Sequence, residues 1–127
     1  MDMQVRAWMA LAPLSGLMAV AAGAFGAHGV ADVQAKAWLQ TGAQYQVIHA
    51  LAVFACFVVW RMGMGAAQAA AWMFLAGGLI FGGSLYLMAF GAPRWFGAIT
   101  PIGGVLMMLG WATLAYAILM GARSTLV

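Results

Sequence analysis

Charge is absent from four long stretches of this chain, residues 7–31, 37–60, 62–93 and 95–122. Between and outside them stand single charged residues: Asp2, Arg6, Asp32, Lys36, Arg61, Arg94 and Arg123. Crossing a hydrocarbon core of about 30 Å takes about 20 apolar residues in a helix. Each stretch is long enough for one crossing and too short for two. Inside lipid every backbone N–H and C=O needs a partner within its own segment, so such runs are helices. The pattern predicts an all-α fold, an integral membrane four-helix transmembrane bundle. A single transmembrane domain fills 1–127, with spans at about 7–28, 42–60, 68–90 and 100–121.

Local signals refine this picture. In the first span Ser15, Ala19, Gly23 and Ala27 recur every four residues, a ladder of small side chains that suits close packing against a neighbouring helix. Arg6, the apolar run after it and the alanine-rich Ala19–Ala24 mimic a cleaved leader, but the segment is counted here as a span. Residues 30–40 change character. Asp32 can cap a helix, and Asp32 with Lys36 makes an i,i+4 ion pair. This predicts a short interfacial helix after the first span, or else the first turns of a long second helix. Thr41 to Gln44 fit a capping box that would start the second span. Gly78 and Gly82 allow a close crossing in the third. Thr100 as N-cap with Pro101 in the first helical position starts the fourth, leaving 91–99 as an interfacial loop.

Composition agrees. Of 127 residues, 67% are hydrophobic and 6% charged, which excludes a water-facing globule. The net charge of +3 comes from isolated Arg and Lys, with no cluster to track phosphates, so nucleic acid is excluded as a partner. Arg6, Arg61 and Arg123 fall on one side of a four-span protein, Lys36 and Arg94 on the other. Three against two places both termini in the cytoplasm. The single cysteine, Cys56, reads as a small buried hydrophobe, and the 11 methionines as flexible core filler.

No Asp, Glu, Lys or Arg lies within a span, which removes the residues that proton pumping, paired-carboxylate chemistry or a Ser/His/Asp triad would need. The protein is therefore read as a non-enzyme without a bound cofactor or metal. What remains is a polar set: His28 at the end of the first span, Gln44, Tyr45 and His49 on the second, then Ser84, Tyr86 and Thr100. Tyr45 and His49 are i,i+4 neighbours on one face. One reading is that these groups bond to each other and fix helix register. Another is a ligand site at the His28/His49 end, for a lipid, a quinone or another small molecule. A haem held by His28 and His49 is disfavoured, because the two rings would sit at different depths.

Four strings carry a resemblance: GAFGAHG (Gly23–Gly29), W-x-x-TG-x-x-YQ-x-x-HALA (Trp38–Ala52), F-x-GSLY (Phe81–Tyr86) and TPIGG-x-x-x-x-x-GW (Thr100–Trp111). In this order, over nearly the whole chain, they resemble the YgdD/YwdK-like family of small bacterial inner-membrane proteins of unassigned function. The resemblance implies four spans in the cytoplasmic membrane and no particular activity. The motif positions are His28, Gln44, Tyr45, His49, Ser84, Tyr86, Thr100 and Pro101. Ile48 departs from the pattern, since similar proteins often have an aromatic there.

Three functions fit the sequence. The favoured one is a structural or accessory membrane protein that self-associates as a homo-oligomer or packs into a larger membrane complex within the lipid bilayer. The second is a carrier for a small lipophilic or polar ligand at the His28/His49 end. The third is a redox subunit holding haem or quinone.

Overall fold

The computed structural model describes residues 1–125, and side chains as far as Gly121. Arg123, counted above among the basic residues, has its side chain outside that set. Among the described residues the secondary structure is entirely helical: α1 (Met3–His28), α2 (Val33–Arg61), α3 (Ala67–Ala89), a short 3-10 helix (Arg94–Ala98) and α4 (Thr100–Thr125). Four helical segments are long and apolar enough to cross a membrane.

The helix starts follow local chemistry. The Asp2 carboxylate accepts from the Val5 amide at 2.9 Å, and Asp32 accepts from the Ala35 amide at 2.8 Å. Each is an N-cap for a donor that the helix itself leaves orphaned. The Asp32 cap corrects three expectations. Residues 33–41 are the first turns of α2 rather than a separate interfacial helix. Thr41 lies inside that helix, so the capping box does not form. The Asp32–Lys36 ion pair is also absent among the described residues, because Asp32 is engaged by the backbone. No proline interrupts the chain between Asp32 and Arg61, and Gly42 lies inside the helix. At about 1.5 Å per residue, α2 is about 43 Å long and exceeds a bilayer core. Gly63, with φ +94°, reverses the chain after α2, and Gly91, with φ +107°, does so after α3. The loop before α4 contains the 3-10 helix, and α4 starts at Thr100 itself, so Thr100 is its first residue rather than its N-cap and Pro101 follows in the first turn.

The helices pack as a central pair with two flanks. α2 and α3 pack most extensively; α1 lies mainly on α2 and touches α3, while α4 lies mainly on α3 and touches α2. Among the described residues α1 and α4 do not meet. Buried positions on α1 are Val5, Trp8, Ala12, Ala19 and Gly26, with Ser15 and Gly23 half-buried on the same stripe. These steps of three, four and seven average the heptad spacing that keeps one face on a partner along a gently supercoiled pair. The four-residue ladder predicted from Ser15 drifts by about 40° per step around a helix of 3.6 residues per turn. It therefore holds through Gly23 and fails at Ala27, which is exposed.

Close crossings set the distances. A Cβ on Gly42 would lie 3.2 Å from the Gly82 Cα and 2.6 Å from the Tyr86 ring. One on Gly77 would lie 2.9 Å from the Gly103 carbonyl oxygen, and one on Gly103 would strike the Phe81 amide and the Gly77 carbonyl. Helices in lipid associate through such contacts, since lipid offers no hydrophobic drive between apolar surfaces. The dry end of the core gathers Val5, Trp8, Val53, Cys56, Ala67, Ala70 and Phe74. Trp8 is fully buried there, edge-on to Phe57 and Trp60 at 6.3 and 6.4 Å. Its indole N–H has no partner among the described residues.

Two glycine substitutions separate packing from propensity. Gly103→Ala is expected to destabilise by about 2 kcal/mol, because the added methyl meets backbone atoms that cannot swing aside. Gly83, with nothing within 4 Å of its Cβ position, should tolerate alanine and gain up to about 1 kcal/mol of helix propensity. Thermal unfolding of both variants in detergent checks the contrast; equal effects would refute the crossing described here.

Candidate functional site

Polar groups buried among apolar helices must find partners, and those partners reveal which helices they join. Gln46, 1% exposed on α2, is the hub. Its Oε1 accepts from the Tyr86 hydroxyl at 2.7 Å, and its Nε2 donates to Ser15 Oγ at 3.1 Å and towards Met18 Sδ at 3.2 Å. One carboxamide thus ties α2 to α3 through Tyr86 and to α1 through Ser15. Gly82 makes room for it: a Cβ there would come within 3.3 Å of Gln46 Oε1 and 3.1 Å of the Tyr86 hydroxyl oxygen.

His49, one turn on from Tyr45 and 5% exposed, is engaged on both sides. The Trp111 indole N–H donates to Nε2 at 3.0 Å, and Nδ1 lies 2.6 Å from the Tyr45 carbonyl oxygen. An indole only donates, so Nε2 must accept, and the ring proton sits on Nδ1 to meet the carbonyl. This bond links α2 to α4, and rings of Phe74 and Trp111 close around the imidazole at 5.5 and 5.8 Å. A third link joins α3 to the start of α4. Ser84 Oγ donates to the Phe81 carbonyl oxygen at 3.0 Å, so the 2.6 Å contact with Thr100 has the Thr100 hydroxyl as donor.

The residues singled out from the sequence therefore fall into separate groups. Tyr86, His49, Ser84 and Thr100 are drawn into interhelical bonds. Tyr45 contributes its backbone to His49 and its ring to Phe81 at 4.8 Å, but is 46% exposed. Gln44 is exposed on the far side of α2 and makes no hydrogen bond among the described residues. His28 is exposed at the end of α1 and meets neither Gln44 nor His49. Because α2 begins at Val33 and not near Gly42, His49 lies about 24 Å along its helix, counting about 1.5 Å per residue. That separation removes the paired-histidine geometry a haem would need. Among the described residues no group of three or more His, Cys, Asp or Glu is placed to hold a metal ion.

Gln46 escaped the reading of the sequence. Its signal was phase: Leu39, Gly42, Ala43, Gln46, His49, Ala50 and Val53 form one heptad-spaced buried stripe, whereas Gln44 falls between its rows.

Two grooves flank these networks. One, of about 420 Å³, lies between α1 and α3 over Gln46 and includes Ser15, Met18, Trp72 and Ala76. The other, of about 500 Å³, lies between α2 and α4 and includes Tyr45, His49, Phe81, Met108 and Trp111.

A family model described as "Protein of unknown function (DUF423)" matches residues 22–104. The chain belongs to the DUF423 family. Among its relatives it is 43% identical over 112 residues to a UPF0382 membrane protein of Haemophilus influenzae, covering 86% of this chain and 90% of that one. It is 36% identical over 119 residues to the UPF0382 membrane protein YwdK of Bacillus subtilis, covering 89% and 96%. With the UPF0382 inner membrane protein YgdD of Escherichia coli it shares 37% identity over 114 residues, covering 87% of each chain. No solved structure matches the chain. As a DUF423 member it is a membrane protein of a family without an assigned activity, in keeping with the resemblance noted above. The DUF423 match takes in Gln46, His49, Ser84, Tyr86 and Thr100; Ser15 precedes it and Trp111 follows it.

Tyr86→Phe should cost about 1 kcal/mol of stability, since it strips Gln46 Oε1 of its donor. In a Gln46→Met background the same change should cost less, giving a coupling of about 0.5 kcal/mol or more in a double-mutant cycle. Reversible unfolding in mixed micelles measures it, and strict additivity would show that the bond holds nothing together.

Proposed function

We propose that this protein is a non-enzymatic structural or accessory component of the membrane, acting through its own packing and through association with other helices. The observation that carries this reading is the state of His49. Both of its nitrogens are engaged, one by Trp111 and one by the Tyr45 carbonyl, so the residue best suited to ligand or proton chemistry serves to hold α4 on α2. Gln46, Ser84 and Thr100 are likewise tied into bonds between helices. The flanking helices leave much surface for partners. α1 keeps Ala21, Ala24 and Ala27 uncovered, small residues that suit close helix contact. A second reading places a small ligand in the groove beside His49, where Tyr45 and Trp111 line the wall; its polar recognition would have to break the Trp111 bond.

The orientation belongs to the same proposal. Arg6 and Arg61 stand at one end of the helices, with Arg123 in the last turns of α4; Lys36 and Arg94 stand at the other end. The three-to-two excess puts both termini on the cytoplasmic side of the bacterial inner membrane.

Native mass spectrometry of protein released gently from its own membrane tests the function. The expected result is a homo-oligomer or a complex with a second polypeptide that persists in a Trp111→Phe variant. A bound small mass that disappears on His49→Ala, without a protein partner, would overturn it in favour of the second reading.

A further inference from the structure

Beyond that packing role, we infer that the groove between α1 and α3 is a binding site for a lipid-soluble quinone in its oxidised form. Its volume, about 420 Å³, lies within the usual range of small-molecule sites, about 300–1,000 Å³. Leu11, Leu14, Leu75 and Leu79 make its walls apolar, and none of its lining residues carries a charge. The occupant is therefore an uncharged lipophile.

Its polar floor selects hydrogen-bond acceptors. Ser15 Oγ accepts from Gln46 Nε2, but the Ser15 hydroxyl proton meets no acceptor among the described residues. The second Gln46 Nε2 proton rests on the Met18 thioether, a weak acceptor at the end of a side chain with three rotatable bonds. A carbonyl oxygen entering the groove would take the free Ser15 proton and draw the amide proton from Met18 as that side chain swings away. Gln46 Oε1 stays with Tyr86, so the interhelical tie survives binding. Trp72 offers an aromatic wall for a planar ring.

Depth narrows the carbonyl's source. Ser15 lies about 18 Å along α1 from Met3, near the middle of a helix about 39 Å long. The ester carbonyls of phospholipids sit at the edges of a hydrocarbon core about 30 Å thick, about 15 Å from such a point. A quinone ring on an isoprenoid tail is uncharged and moves within the core itself. Its two carbonyls only accept, matching donors, whereas each quinol hydroxyl brings a proton for which the floor offers only the second lone pair of Ser15 Oγ. No lining residue is titratable, and the proposal is one of binding with no redox step.

The test uses full-length protein in phosphatidylcholine nanodiscs, titrated with a short-chain ubiquinone, with its quinol, and with squalene as an uncharged lipophile without oxygen. Saturable ubiquinone binding is expected, about tenfold weaker for the quinol and not displaced by squalene. Ser15→Ala should weaken it about fivefold. Ala76→Phe fills the groove from an exposed position and should abolish binding with the melting temperature unchanged, while Met108→Phe, in the other groove, should leave it intact. Uptake that never saturates, equal affinity for squalene, undiminished binding in Ala76→Phe, or loss in Met108→Phe alone would each overturn the assignment.

Discussion

A carboxamide buried in hydrocarbon must satisfy two donors and an acceptor from whatever side chains its neighbours bring. Gln46 meets this demand at the centre of α2 with Tyr86 on one side and Ser15 on the other. The position of α1 and the register of α3 both answer to it. In water the alternative for each group would be a solvent hydrogen bond; in lipid the alternative is an unpaired dipole, although the unfolded chain in the membrane also finds partners and the net gain per bond is modest. The value of such a bond lies as much in selecting one arrangement as in its strength. Sliding α3 by one turn would strand Tyr86 and Gln46 together.

Glycine makes that chemistry reachable. The Gly42–Gly82 contact brings α2 and α3 close enough for the Tyr86 hydroxyl to reach Gln46, and Gly77 against Gly103 brings α4 onto α3. The close α4 then carries Trp111 to His49 and Thr100 to Ser84. Polar bond and small-residue crossing occur together between α2 and α3 and between α3 and α4. The indole N–H of Trp8, without a partner among the described residues, sits outside this scheme, in the apolar end of the core.

The two grooves differ in what their polar groups leave available. Beside α4, His49 is engaged at both nitrogens and contributes mainly shape. Beside α1, Ser15 retains a proton and Gln46 holds one on a weak acceptor. The groove nearer the obvious histidine is the less available of the two for polar recognition. The family relationship leaves function open, so this difference in hydrogen-bonding state, rather than the identity of conspicuous residues, distinguishes the surfaces.

The sequence by itself determined the class, the number of spans and the start of α4, because charge-free length and a proline in the first helical turn are local properties. It also marked Ser84, Tyr86, Thr100 and His49, since a polar residue in an apolar span has few neutral explanations. Other features depended on which way each helix is turned. Gln44 and Gln46 are equivalent in composition, and only the packing of α2 shows that one faces its partners while the other faces out. The same rotation carried Ala27 off the buried stripe and brought Gly26 onto it. The sequence already sets His28 and His49 at different depths; the Asp32 cap, by starting α2 at Val33, widens that separation. Span and class follow from transfer of the chain into lipid, one residue at a time. Phase, partner and pairing are set by contacts between helices, which no single segment contains.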